Sequence, residues 1–300
     1  MTKVSQASSE RAPRRPAQAS ASVTGAGKEK SSRHAALESS RRRIPMIVWQ
    51  LLVGVAILAL WQMAAALELV DPFFVSKPSD VIDQIGEWIA SGYIWPHLAI
   101  TMQEALLAFA IGVLLGVVVG FLFARVPFLA KLFEPYVHML NALPRVVLAP
   151  VLLLWFGLGI WSKVALGVTI VFFIVFFNTY RGVREVDPVL IHNARMLGAS
   201  ERQLLRHVFI PSALTWIFSS LHTSVGFAIV GAVVGEYLGS SQGIGYVISQ
   251  AEGVFDTTAV FSGMIVLMLV VLVVDYAVNR IERRLLRWKP DEAAGAPQVS

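Results

Sequence analysis

Residues 187–211 read DPVLIHNARMLGASERQLLRHVFIP, a polar, basic interruption in a chain that is otherwise mostly apolar. Local signals make the stretch two short helices joined at one glycine. Asp187 caps the first helix and Pro188 takes its first position, where a missing N–H costs little. Gly198 follows Met196 and Leu197, at the point where a helix ends on a left-handed residue. Ser200 and Gln203 form a capping-box pair that opens the second helix, and Pro211 is expected to close it. Leu190, Ala194 and Leu197 share one face of the first helix, while Leu204, Leu205, Val208 and Phe209 stripe the second. Arg195, Arg202, Arg206 and His207 are left for water or a partner. A small exposed helical elbow projecting from an apolar body is a docking device, and the rest of the chain is read around it.

That body belongs in lipid. The chain is 56% hydrophobic and only 15% charged, with a mean hydropathy of +0.64. Soluble domains carry about 25% charged residues, so the deficit marks membrane spans rather than a large core. With no cysteine there are no disulfides, thiolate nucleophiles or cysteine metal sites. The net charge of +5 does not indicate nucleic acid, because the basic residues gather beside the apolar runs, where they orient a membrane protein.

Six spans account for the apolar runs. Residues 1–43 are Ser-, Ala- and Arg-rich with almost no large apolar residue, and read as a disordered cytoplasmic tail. No short apolar stretch with a small-residue cleavage site follows, so the tail is not read as a targeting leader. Arg41, Arg42 and Arg43 anchor a first span over 44–67, and an acidic connection follows, whose KPSDVIDQIGEWIASG run reads as an amphipathic surface helix. The second span, 98–124, carries Ala108, Gly112, Gly116, Gly120 and Ala124 at four-residue spacing, a smooth ridge for close helix packing. The third, 133–156, contains Pro135, Pro144 and Pro150 and is expected to be broken or kinked and to line the bundle interior. The fourth is 164–180, the fifth 212–238 and the sixth 259–278, with a glycine-rich connection at 239–257 that includes a re-entrant or interfacial helix. Together 44–288 make an all-α polytopic domain, and 289–300 a C-terminal tail. With both termini inside, only Lys77 and Lys163 are basic outside, which follows the positive-inside rule.

Enzyme chemistry finds little support. There is no GxxxxGK[S/T] phosphate loop, so any ATP is bound and hydrolysed elsewhere, and the six histidines show no metal-site spacing. Ionisable residues at membrane depth are the better candidates, because burying them in lipid is costly. These are Glu104, Arg145, Glu236 and Asp275. Arg145, between Pro144 and Pro150, has two readings: it lines an anion path, or it bonds carbonyls loosened by the prolines. Glu236 is a pathway candidate by depth, although a local capping or pairing role suits its place beside GSSQGIG better. Asp275 is expected to pair with a nearby arginine.

The elbow resembles the EAA loop of ATP-binding-cassette importer permeases, whose pattern is E-A-A-x3-G-x9-I-x-L-P. His192-Asn193-Ala194, Gly198, Val208, Ile210 and Pro211 stand at that spacing. KPSDV at Lys77, LPRVVLAPVLLLWFGLG at Leu143, GEYLGSSQGIGY at Gly235 and DTTAVFSGM at Asp256 are similar to the nitrate/sulfonate/taurine-type permeases. The likeness covers about residues 45–288, and departs where His192 and Asn193 replace the usual Glu and Ala.

The resemblance implies the type I importer permease fold in a bacterial inner membrane. It implies a second permease copy, a separate ATPase docked on each elbow, and a periplasmic or lipid-anchored binding protein. In it the 187–211 loop couples to the ATPase through His192, Asn193, Ala194, Arg195, Met196, Leu197, Gly198, Ala199 and Leu204. Pro144, Arg145, Pro150 and Glu236 are then the translocation-path candidates, no cofactor sits in this chain, and the substrate is a small anion such as a sulfonate, taurine or nitrate, or else a vitamin precursor. An ion-coupled secondary transporter is the competing class, but it calls for internal repeats and midplane carboxylates that this chain shows sparsely. A membrane scaffold leaves the proline-broken third span without a reason.

Overall fold

A computed structural model describes residues 46–285, so expectations for the two tails, including Arg41–43, lie outside the described residues. All regular structure in this range is helical. In order, the helices are α1 Met46–Ala66, α2 Pro72–Val75, α3 Pro78–Ala90, α4 Ile94–Arg125, α5 Pro127–Ala142 and α6 Arg145–Phe156. There follow α7 Ile160–Arg184, α8 Pro188–Met196, α9 Glu201–Leu204, a π turn Leu205–Phe209, α10 Ile210–Leu238, α11 Ile244–Gly253 and α12 Thr257–Leu285. Five helices among the described residues are long and apolar enough to cross a membrane, and α5 with α6 makes a sixth if the bent pair counts as one span. The chain divides within α1 into one unit ending at Ile57 and another beginning at Leu58. Of the first, residues 46–57 are described, a stretch of helix with every side chain exposed.

The four-residue ridge of α4 finds its partner in α7. A β-carbon added at Gly112 would fall 2.7 Å from Val171 Cβ, and one at Gly120 would fall 2.7 Å from the carbonyl oxygen of Phe176. Only a residue without a side chain lets the two backbones approach this closely. α7 is in turn packed against α10, so Val171, Val175, Ala228, Ile229 and Ala232 form one buried cluster with Ala105 of α4. Helix α3 buries Val81 and Trp88 and keeps the rest of its length half-buried or exposed. Its Trp88 joins Ile94, Ile244, Val247, Ala251 and Ala259 in a cluster at the end of α4 opposite the elbow.

The expectation for Pro211 is corrected, whereas the third span is broken, one of the two outcomes its prolines predict: α5 and α6 meet at 94°. Pro144 alone makes that break, holding Leu143 in an extended conformation (φ −65°, ψ 130°), as the residue before a proline prefers. Pro135 and Pro150 lie inside α5 and α6 without ending them. Nor does Pro211 close the elbow. The chain passes from α9 through the π turn directly into α10, where Pro211 occupies the first turn. In the wider turn Ile210 N–H reaches back to Leu205 O, and a proline entering the first turn of α10 needs no donor of its own.

Candidate functional site

The elbow is built by local chemistry. Asp187 Oδ1 accepts from Val189 N–H at 2.8 Å and opens α8. At its other end Gly198 has φ +83°, and Ala199 N–H returns to Ala194 O at 3.0 Å. A left-handed residue that turns the chain while satisfying the last carbonyls is the standard helix stop, and glycine takes it without strain. Ser200 then receives Gln203 N–H at 3.3 Å and gives its own N–H to Gln203 Oε1 at 2.8 Å, a complete capping box.

Tertiary contacts fix the elbow against the bundle. Glu201 accepts from Arg195 at 2.8 Å through one oxygen and from Arg125, at the end of α4, at 3.1 Å through the other. The Arg125 guanidinium also lies 4.5 Å above the ring of Phe209. Beneath them Leu204 and Phe209 are buried with Ala124, Val183, Val186, Ala213 and Ile217. The elbow is thereby held to α4 by charge and to α7 and α10 by apolar packing.

The residues expected to contact a partner separate into two groups. Met196 and Leu197 are 86% and 89% exposed at the tip, with Leu190 also exposed. His192, Asn193, Arg195 and Gly198 are exposed as well. His192 Nδ1 donates to Pro188 O at 2.6 Å. Leu204 is corrected: at 1% exposure it belongs to the core beneath the elbow and presents nothing to a partner. Ala194 and Ala199 are half-buried against that core. Arg195 is paired with Glu201, although its side chain stays 55% exposed. Sequence reasoning missed Glu201, whose role depends on Arg125, 76 residues away.

At the opposite end of the bundle stands a second polar site, fully enclosed. Glu236 is 1% exposed and accepts from Thr101 Oγ1 at 2.6 Å and from Gly245 N–H at 2.7 Å. Thr101 Oγ1 takes Ile244 N–H at 2.9 Å, and His97 Nδ1 takes Gly243 N–H at 3.1 Å. Three successive donors at the start of α11 are thus satisfied by side chains of α4 and α10. Glu104 and Lys163, 1% and 0% exposed, lie beside Glu236, and Lys163 Nζ donates to Leu158 O at 2.5 Å and Gly159 O at 3.1 Å. Glu236 thus takes the local capping role that suited its place beside GSSQGIG and does not face an open path. The reading of Lys163 as a basic residue facing the outside is corrected, because its side chain is buried. His97, Thr101 and Lys163 carried no sequence signal, since each gains its role only from a distant segment.

The remaining intramembrane groups are also accounted for locally. Arg145 donates to Leu140 O at 2.8 Å, Leu143 O at 2.6 Å and Asn141 Oδ1 at 2.9 Å, with its guanidinium 4.7 Å over Phe173. It therefore bonds the carbonyls that the break at Pro144 frees, the second of its two readings. Pro144 and Pro150 are exposed at and beyond that break. Asp275 pairs with His222 at 3.4 Å and accepts from Asn279 at 2.9 Å, in place of the expected arginine.

Residues 112–287 match the family model described as binding-protein-dependent transport system inner membrane component. The chain is 35% identical over 239 residues to a putative aliphatic sulfonates transport permease of Bacillus subtilis (strain 168), covering 80% of this chain and 87% of that protein. It is 33% identical to a riboflavin transport system permease of Chloroflexus aurantiacus (strain ATCC 29366 / DSM 635 / J-10-fl), over 78% of this chain and 87% of the relative. Among solved structures, an amino acid ABC transporter superposes with a TM-score of 0.54 at 19% identity, over 68% of this chain and 97% of that one, a likeness of fold.

Proposed function

We propose, from the premise that this chain belongs to the binding-protein-dependent transport inner-membrane components, that it is the permease of an ATP-driven importer, worked through its elbow. The observation that carries this reading is the pair Met196 and Leu197, standing exposed on a tip that Gly198 turns and Glu201 ties to α4. Large apolar side chains held out on a rigid mount, with their polar surroundings satisfied, suit insertion into a groove on another protein. An ATPase subunit is the occupant that the family supplies, and the elbow end is then cytoplasmic. Movement of the tip would pass to α4 through the Arg125–Glu201 pair and to α7 and α10 through the Leu204–Phe209 core. No group in this chain is asked to hydrolyse ATP.

A homodimer completes the pathway in this reading, with the broken α5–α6 pair turned toward it. The large apolar residues exposed on that pair, Val146, Val147, Leu154 and Trp155 among them, suit contact with a second copy or with lipid. A binding protein delivers the substrate at the end where α11 lies. The substrate class is a small sulfonate-type anion, following the name of the Bacillus subtilis relative. A vitamin precursor is the second reading, favoured by the riboflavin permease at nearly the same identity.

The test is reconstitution of the permease with its ATPase subunit and binding protein in vesicles. ATP-dependent uptake of an alkanesulfonate is expected, with loss of ATPase association on charging the tip by Met196→Asp and Leu197→Asp. Uptake of a flavin or pyrimidine instead moves the substrate to the second reading. An intact complex after both tip substitutions overturns the elbow as the docking site.

A further inference from the structure

At the elbow end, one face of α10 beside α4 is uncovered among the described residues. Ile210, Ala213, Leu214 and Ile217, spaced by three and four residues, line a trough of 810 Å³ whose other wall is the elbow end of α4, including Val118 and Leu122. Ala213 and Ile217 are buried in its floor, while Val118, Leu122 and Leu214 stand 55%, 46% and 38% exposed along its sides. Farther along, a second apolar space of 490 Å³ is bounded by α12 as well as by α4 and α10, with Val274 and Val278 facing Leu221 and Val225. The trough at the elbow end has no such third wall in its lining.

Its mouth is charged. Arg125, Glu201 and Arg202 border the trough at the elbow end. Glu201 is already shared between Arg125 and Arg195, whereas the exposed side chain of Arg202 has no ion pair or hydrogen bond among the described residues. The mouth therefore carries a net positive charge and one unused guanidinium, placed where an apolar trough emerges from the membrane.

We infer that this trough is a binding site for an anionic phospholipid of the leaflet on the elbow's side. An acyl chain lies between α4 and α10, and the headgroup phosphate lies against Arg202 and Arg125. Apolar lining matches the chain and the guanidinium pair matches the phosphate, which arginine binds through two parallel hydrogen bonds. Basic pockets between spanning helices are known anionic-headgroup sites, and each basic residue near the surface contributes roughly 1 kcal/mol, equivalent to about fivefold in occupancy. A second protein helix matches the trough less well, because it would cover the mouth and leave Arg202 facing apolar side chains. The bound lipid would sit against the joint between elbow and bundle, so its occupancy would bear on how stiffly the elbow is mounted.

The experiment places the photoreactive residue benzoylphenylalanine at Leu214 in the full-length protein, irradiates native membranes and identifies the adduct by mass spectrometry. The expected product is a diacyl phospholipid adduct with phosphatidylglycerol enriched over its share of the membrane. Adding Arg202→Glu should reduce that enrichment about fivefold or more. Arg202→Gln, which removes charge without reversing it, should give an intermediate value if the thermal transition of each variant matches the parent. A cross-link to a second copy, or to residues 1–45 of the chain, overturns the proposal. So does a lipid adduct whose headgroup composition is the same with Arg202 and with Glu at that position.

Discussion

The two polar sites at opposite ends of the bundle use one device, a helix start capped by side chains, in contrasting ways. At the elbow the caps are local: Asp187 serves Val189, and Ser200 and Gln203 serve each other. At α11 they come from afar, since His97 and Thr101 reach Gly243 and Ile244 across more than 140 residues. Local caps make a segment rigid in itself and leave its ties to the bundle to separate contacts, here Glu201 and the Leu204–Phe209 core. Distant caps bind separate helices into one block. In the proposed reading the elbow is a mount that passes motion to the bundle, and the enclosed site is a weld that joins α4, α10 and α11.

The contrast in burial has an energetic side. Glu236 and Thr101 are sealed from water, so each lost hydrogen bond there leaves a partner unsatisfied. Glu201 is 62% exposed by side chain, and water replaces what it loses. The same substitution, carboxylate to neutral, should therefore register as instability at one end and as altered coupling at the other.

The largest expected effect that would break this comparison is at the tip. Met196→Asp with Leu197→Asp removes two side chains whose burial in a partner is worth about 1.5–3 kcal/mol each. ATPase-subunit affinity should fall by about a hundredfold or more, read by titration of the detergent-solubilised complex, while the permease's own Tm stays in place. A fall in Tm instead would mean that the tip supports the fold.

Next comes Glu236→Ala, which strands Gly245 N–H in the interior and leaves the Thr101 hydroxyl only the His97 carbonyl as acceptor. Destabilisation of about 1–3 kcal/mol is expected from the unpaired buried donor, measured by thermal unfolding in detergent. Glu236→Gln, which keeps an acceptor, should lose less. Equal Tm values for all three would show that the enclosed site is no weld.

Gly198→Val imposes a left-handed conformation on a branched residue at about 1–2 kcal/mol. The elbow is expected to distort, so uptake should drop several-fold while the bundle unfolds at nearly its normal temperature. The smallest effect is that of Glu201→Gln, which frees Arg195 and Arg125 together. No Tm change is expected, but ATPase stimulation by the binding protein should weaken and lose its salt dependence. Unaltered coupling would leave the apolar core under Leu204 as the sole link from elbow to bundle.

Much of this architecture was legible in the residues. The elbow's turn at Gly198 and both of its caps follow from signals within four residues of each other, and local rules read such signals well. The apolar lengths marked the spans, and the glycine ridge of α4 announced a close neighbour without naming α7. What stayed hidden was set by segments far apart in sequence. Leu204 and Leu197 are leucines seven residues apart, each at the end of a short helix, yet one is in the core and the other at the tip. Only the position of α7 and α10 decides between them. Arg145 had two readings because its three acceptors appear only once Pro144 has bent the backbone by 94°.

By itself the sequence determined that the chain is helical, lies in a membrane and interrupts its apolar spans with a capped elbow, because composition, periodicity and capping act over a few neighbouring residues. The motif blocks added the kinship with importer permeases. The tertiary structure alone decided that Glu104, Lys163 and Glu236 meet in the interior, that Glu201 ties the elbow to α4, and that Pro211 starts a span rather than ending a helix. Those outcomes depend on which backbones come within hydrogen-bonding distance, and that is settled by the packing of α4, α7 and α10 on one another.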